Sequence, residues 1–167
     1  MEHSELSFKN FMKKKLLIIN GPGLSDLSNF NEFGHDNLTL EKVQKKCLET
    51  CDSLGISVDF CQTDDQAELS NYLLKASKEF DALIINPAAY SNAASLDPDL
   101  YASNIEAMAN QKKPVIEVHI ANIFQKGVNI NSPIKASEGN VGFVSGFGIH
   151  SYDLAIRAVN KQLSQKS

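Results

Sequence analysis

The sequence has no tryptophan, only three cysteines and only five prolines. Three cysteines cannot build a disulfide framework. Cys47 and Cys51 lie four apart on a predicted helix, and no third or fourth ligand falls near them. Buried packing is therefore expected of them, not a metal site. Unpaired cysteines fit a reducing, cytoplasmic setting. There is no basic excess: the net charge is −4, so nucleic acid is not an expected partner. No apolar run approaches the roughly 18 residues of a membrane span. The N-terminal "MEHSELSFKNFMKKK" is too polar for a secretory signal, and its lysines read as a solvated tail. Residues 1–12 are expected to be a flexible extension, and 13–167 a single domain.

What is present alternates between two periods. Leu16–Asn20 is a short continuous apolar run, the pattern of a strand buried on both faces. Leu40, Val43, Cys47, Leu48, Cys51 and Leu54 recur with helical spacing, and Gly55 closes that helix. Ile56–Gln62 alternates as a second strand. Leu69, Tyr72, Leu73, Ala76 and Phe80 form the next helical stripe, followed by the strand "ALIIN", Ala82–Asn86. Leu100–Ala109 reads as a helix, Pro114–Ile120 as a fourth strand and Asn140–Gly146 as a fifth. Tyr152, Ala155, Ala158, Val159 and Leu163 mark the last helix. Five strands with intervening helices predict an α/β fold with a parallel sheet and helices on both faces. The flavodoxin-like order 2-1-3-4-5 is the default, and it places ligands outside the carboxyl ends of strands 1 and 3.

At those ends stand Asn20-Gly21-Pro22-Gly23, Gln62-Thr63-Asp64-Asp65, Asn86-Pro87 and Glu117-Val118-His119. No Gly-Lys-Ser/Thr follows the glycines, so the turn is not a P-loop. The third glycine of a dinucleotide fingerprint is missing as well. His119 lies two residues after Glu117, on the same strand face. A carboxylate beside an imidazole fixes its tautomer and favours its charged form, which suits a general acid. A purely structural Glu–His hydrogen bond fits the same pair. The loop "NGPGLSDLSNFNEFGHD", Asn20–Asp36, holds no lysine, arginine or tyrosine.

The segments "LLIINGPGL", "NLTLEKV", "LIINPAAYSN" and "PVIEVHIANI", in this order and spacing, resemble type II 3-dehydroquinate dehydratase from about Lys13 to Leu163. The resemblance implies a flavodoxin-like fold, trimers that pack into dodecamers, and no metal or organic cofactor. It implies trans-elimination of water from 3-dehydroquinate. In that family a lid tyrosinate takes the proton beside the ketone, a nearby arginine lowers its pKa, and a histidine protonates the departing hydroxyl. Carried over, His119 is the acid and Glu117 its orienter. Asn86 meets ring hydroxyls, the backbone at Ile120 and Ala121 meets the substrate carboxylate, and Asp99 reaches a neighbouring subunit. Tyr90 matches a motif tyrosine that looks structural.

The departures all fall on the base and substrate side. Phe33 stands at the position of the lid tyrosine, and the lid arginine has no counterpart. Gly23 replaces the asparagine of Gly-Pro-Asn, Asn92 a substrate-binding histidine, and Ala121 a serine. A later loop arginine falls near Ile130, where the closest cation is Lys126. His35, two residues past Phe33, is the candidate replacement base, ahead of Asp26, Glu32 and Asp36. Three readings remain. One is a divergent lyase acting on a small hydroxylated carboxylic acid. The second is an inactive homologue that binds a ligand or holds an oligomer. The third is a flavin-carrying electron transfer protein.

Overall fold

In the computed structural model, residues 12–87, 98–122 and 141–165 are described. The strands are β1 Lys15–Asn20, β2 Ser57–Gln62, β3 Ala82–Asn86, β4 Val115–His119 and β5 Val141–Ser145. The helices are α1 Leu40–Leu54, α2 Gln66–Glu79, α3 Pro98–Asn110 and α4 His150–Ser164, with a 3₁₀ turn at Ser28–Phe33. All pairings are parallel, in the order β2-β1-β3-β4-β5. The expected flavodoxin-like α/β topology is therefore present.

The strands form where β-branched and leucine side chains run together, and local polar groups set the helix starts. Thr39 accepts the Lys42 N–H at the start of α1, and Asp65 accepts the Glu68 N–H at the start of α2. Each cap satisfies a donor that the first helical turn leaves open.

The sheet separates two apolar layers. On one side Leu16, Ile18, Ile84, Ile116 and Val118 pack with Val43, Cys47 and Cys51 of α1 and Tyr152, Ala155 and Val159 of α4. On the other side Leu17, Ile19, Leu83, Ile85 and Val115 pack with Leu69, Leu73 and Ala76 of α2 and Tyr101, Ile105 and Met108 of α3. Two members of the predicted stripes differ. Leu48 and Ala158 are exposed, whereas Ile156 is buried. Both misplaced residues sit at the margin of their helix's apolar face, where spacing alone does not decide burial.

Cys47 and Cys51 are buried as expected, and burial raises both thiols, Cys51 to about 11. Among the described residues no cluster of three metal-ligating side chains occurs, and no helix is long and apolar enough to cross a membrane. Residues 1–11 of the N-terminal extension, Tyr90, Asn92, Lys126 and Ile130 lie outside the described residues.

Candidate active site

The loop after β1 leaves the sheet through a backbone contact that only glycine permits. The Gly21 N–H donates to the Asn86 carbonyl at 2.8 Å. A Cβ on Gly21 would stand 1.9 Å from the Pro87 carbonyl oxygen. Two residues on, the Gly23 N–H donates to Asp64 Oδ1 at 2.8 Å, and Gln62 Nε2 donates to the same oxygen at 3.0 Å. The loop's root is thus tied to the ends of β2 and β3.

The loop is less polar in space than in sequence. Leu24, Leu27 and Phe30 are buried in the layer under α1 and α4, beside Ile120, Ala121 and Tyr152. Gly34 ends the 3₁₀ turn, which contains Phe33. His35 follows, its N–H donating to the Phe30 carbonyl. Its ring lies against Gly148, close enough that a Cβ there would come within 2.8 Å of Nδ1. Gly148 belongs to the turn between β5 and α4. That turn is bound to the end of β4, for the Gly148 N–H donates to Ile120 O and the Gly146 N–H to His119 O. His35 is therefore at the same end of the sheet as His119. Asp26 is a poorer base than its composition suggests, because the Ser28 backbone N–H holds its carboxyl below the usual value.

Glu117 and His119 project from the face of β4 that α3 covers, in line with Val115. His119 Nε2 is 2.6 Å from Glu117 Oε1, and the carboxylate has no solvent exposure. The His119 ring also stands 5.5 Å from the ring of Phe143, the neighbour of Glu117 on β5. Ile120 and Ala121 are buried, and the carbonyl of each is engaged, by Gly148 N–H and by Ser145 Oγ. Asp99 lies exposed in the first turn of α3.

Asn86 ends β3 and is 1 % exposed. Its Nδ2 donates to the Tyr152 hydroxyl at 3.0 Å, and that hydroxyl donates to Asn20 Oδ1 at 2.6 Å. Among the described residues nothing hydrogen-bonds the buried Asn86 Oδ1, a costly condition for an acceptor. Sequence spacing assigns Tyr152 to an apolar stripe and shows nothing of this network. Neither nearby phenol suits a tyrosinate base. Burial raises both Tyr152 and Tyr101 far above the ordinary range.

Residues 14–160 match the family model for dehydroquinase class II. The chain belongs to that family. A 3-dehydroquinate dehydratase from Clostridium botulinum (strain Loch Maree / Type A3) is 30 % identical over 149 residues, covering 89 % of this chain and 96 % of its own. The 3-dehydroquinate dehydratase of Caldanaerobacter subterraneus subsp. tengcongensis is 33 % identical over 146 residues, covering 87 % and 93 %. The crystal structure of type II dehydroquinase from Butyrivibrio crossotus DSM 2876 superimposes with a TM-score of 0.70 at 26 % identity, covering 89 % of this chain and 98 % of that one. A 3-dehydroquinate dehydratase-like protein from Bifidobacterium longum gives 0.65 at 27 %, covering 90 % and 98 %.

Against this dehydroquinase background one feature of the composition stands out. Arg157 is the only arginine in the sequence. It is half-exposed and paired with Asp153 at 3.1 Å. It lies more than one helical turn past Tyr152, as α4 runs away from the carboxyl ends of the strands. The chain has no other guanidinium to place in the crevice.

Proposed function

We propose that the chain is a divergent type II dehydroquinase-like hydro-lyase. It would eliminate water in the trans sense from 3-dehydroquinate or a related small hydroxylated carboxylic acid. The buried Glu117–His119 pair at the end of β4 carries this reading. His119 supplies the proton to the departing hydroxyl, Glu117 orients its ring, and Asn86 Oδ1 accepts from a ring hydroxyl. The peptide groups at Ile120 and Ala121 meet the ligand carboxylate, with Asn92 as a further contact. No metal or organic cofactor takes part, and the setting is cytoplasmic.

Low turnover of 3-dehydroquinate itself is expected. With Phe33 in the lid tyrosine's place there is no phenolate to take the proton beside the ketone, a role worth roughly 10²–10⁴-fold. With a single, distant arginine there is also no guanidinium to stabilise the developing charge. His35 is the proposed replacement base. The second reading is an inactive homologue that binds a ligand or holds an oligomer, favoured by that same scarcity of arginine.

The test is ultraviolet absorbance of the enone product, comparing wild type, His119→Ala and Phe33→Tyr. Turnover by wild type that His119→Ala abolishes supports the lyase and overturns the inactive reading. Turnover untouched by His119→Ala overturns the assigned acid. No turnover, together with no thermal shift from cyclic hydroxy acids, overturns the lyase reading. We further propose a trimer or dodecamer in which Asp99 reaches a neighbour, and a monomer in light scattering contradicts this.

A further inference from the structure

We propose that Tyr152 is a positioning residue, which with Asn20 sets the hydrogen-bond polarity at Asn86 so that the site accepts a ligand hydroxyl there and rejects a ligand carbonyl or ether. The inference deepens the reading of Asn86 as a ligand contact and rests on it. It starts from a group whose polarity is fixed. The carbonyl oxygen of Cys61 can only accept. Asn20 Nδ2 donates to it at 3.1 Å, so Asn20 turns Oδ1 away from β2. Oδ1 can only accept, and the Tyr152 hydroxyl donates its single proton there at 2.6 Å. The phenol oxygen is then left as an acceptor, and Asn86 Nδ2 fills it at 3.0 Å.

At each step the neighbour decides which end of an amide faces onward. The end of the relay is Asn86 Oδ1, buried and without a hydrogen-bond partner among the described residues. Reversing the Asn86 amide would put its NH₂ at the ligand position and its oxygen against a phenol whose proton is already committed to Asn20. Two acceptors would then face each other, with one left unsatisfied in a buried site. The three side chains are all at most 1 % exposed, so bulk solvent does not relieve the mismatch. The orphaned acceptor therefore selects for a donor, a hydroxyl group in the substrate class proposed above. Asn86 is the contact, while Tyr152 and Asn20 act only through it.

The experiment measures affinity by calorimetry for 3-dehydroquinate and for its ring-deoxy analogues, each lacking one hydroxyl. Wild type, Asn86→Ala, Tyr152→Phe and Asn20→Leu are compared, with melting temperature recorded separately. Wild type should favour the parent over one deoxy analogue by at least about 10-fold, and Asn86→Ala should erase that preference. Tyr152→Phe should reduce it by roughly 5-fold or more, because the freed amide turns over. Asn20→Leu keeps the phenol but releases its proton, so the preference should fall likewise. Variants that melt earlier yet keep the wild-type preference would show that Tyr152 and Asn20 are merely structural, and would overturn the proposal.

A ligand-free readout separates this from failure of the functional reading. The Asn86 side-chain NH₂ should exchange slowly with solvent by NMR in wild type and quickly in Tyr152→Phe. If wild type binds no probe, the assignment of Asn86 as a ligand contact falls. Equal exchange in the two proteins would overturn the positioning role by itself.

Discussion

His119 Nε2 and Glu117 Oε1 stand 2.6 Å apart on one face of β4, with the carboxylate inside the apolar layer and the imidazole 16 % exposed. Burying a carboxylate in such a layer costs several kcal/mol, which close partners only partly repay. On these terms the pair is a poor stabilising device.

The first prediction follows from that balance. His119→Ala takes away the 2.6 Å partner of a buried carboxylate and should cost about 3–5 kcal/mol. Glu117→Gln, which keeps a hydrogen-bonding oxygen, should cost less. The double replacement Glu117→Leu with His119→Phe fills the same volume without charge and should come close to wild type. Urea denaturation measures all three, and a double variant as damaged as His119→Ala would contradict the argument.

The second prediction concerns the two close backbone approaches. Gly21→Ala puts a Cβ against the Pro87 carbonyl, which is backbone and has no side chain to move. A loss of more than about 3 kcal/mol, or failure to fold, is expected. Gly148 has φ +59 and faces His35 Nδ1, the end of a side chain. Gly148→Ala should cost about 1–2 kcal/mol from its left-handed backbone, plus displacement of the ring. Combining it with His35→Ala should remove the second part, so a double-mutant cycle should give a non-zero coupling.

The third prediction is a pH dependence. Asp153 joins α4 to α1 by accepting from Thr50 Oγ1 at 2.8 Å and also pairs with Arg157. Burial pushes its carboxyl up, but the hydrogen bonds from Thr50 and Arg157 outweigh this and hold it below the usual value. A folded pKa below the unfolded one, about 3.9, gives stability that is present above that pH and lost as pH falls through the folded value. Wild type should exceed Asp153→Asn in stability at pH 6, and the difference should shrink on descending below pH ~4. Denaturation curves between pH 6 and pH 3 test this, and a constant difference would contradict it.

The fourth prediction concerns the loop after β1. Phe30→Ala removes a ring that is 4 % exposed and buried among Leu24, Leu27 and the α1–α4 layer. A cost of about 3–5 kcal/mol is expected, with faster proteolysis between Leu24 and Gly34. An unchanged cleavage pattern would mean that the ring does not anchor the loop.

The order of the sheet was legible because each strand is a short apolar run bounded by helical periodicity. The Glu117–His119 pair was legible because two residues on one strand share a face. The apolar anchoring of the loop was not legible. Leu24, Leu27 and Phe30 are three apart, but serine, asparagine and glycine around them give no sustained helical stripe. The relay from Asn20 to Asn86 was hidden for a different reason. Its hydrogen bonds join residues 132 and 66 positions apart in the chain, and no local pattern records such a closure. Tyr152 looked apolar because a phenol ring occupies a core position as well as phenylalanine does, and its hydroxyl matters only once the strand ends meet.

The loop after β1 is held by three buried apolar side chains and by backbone bonds at Gly21, Gly23 and His35. None of these attachments uses His119 or the side chain of His35, the proposed acid and base. Apart from Asp26, which accepts the Ser28 N–H, exposed polar positions between them can therefore be substituted while the loop keeps its path. Different residues set the shape and the chemistry of this stretch. A relative's reactive side chains could be written back into it without rebuilding the scaffold.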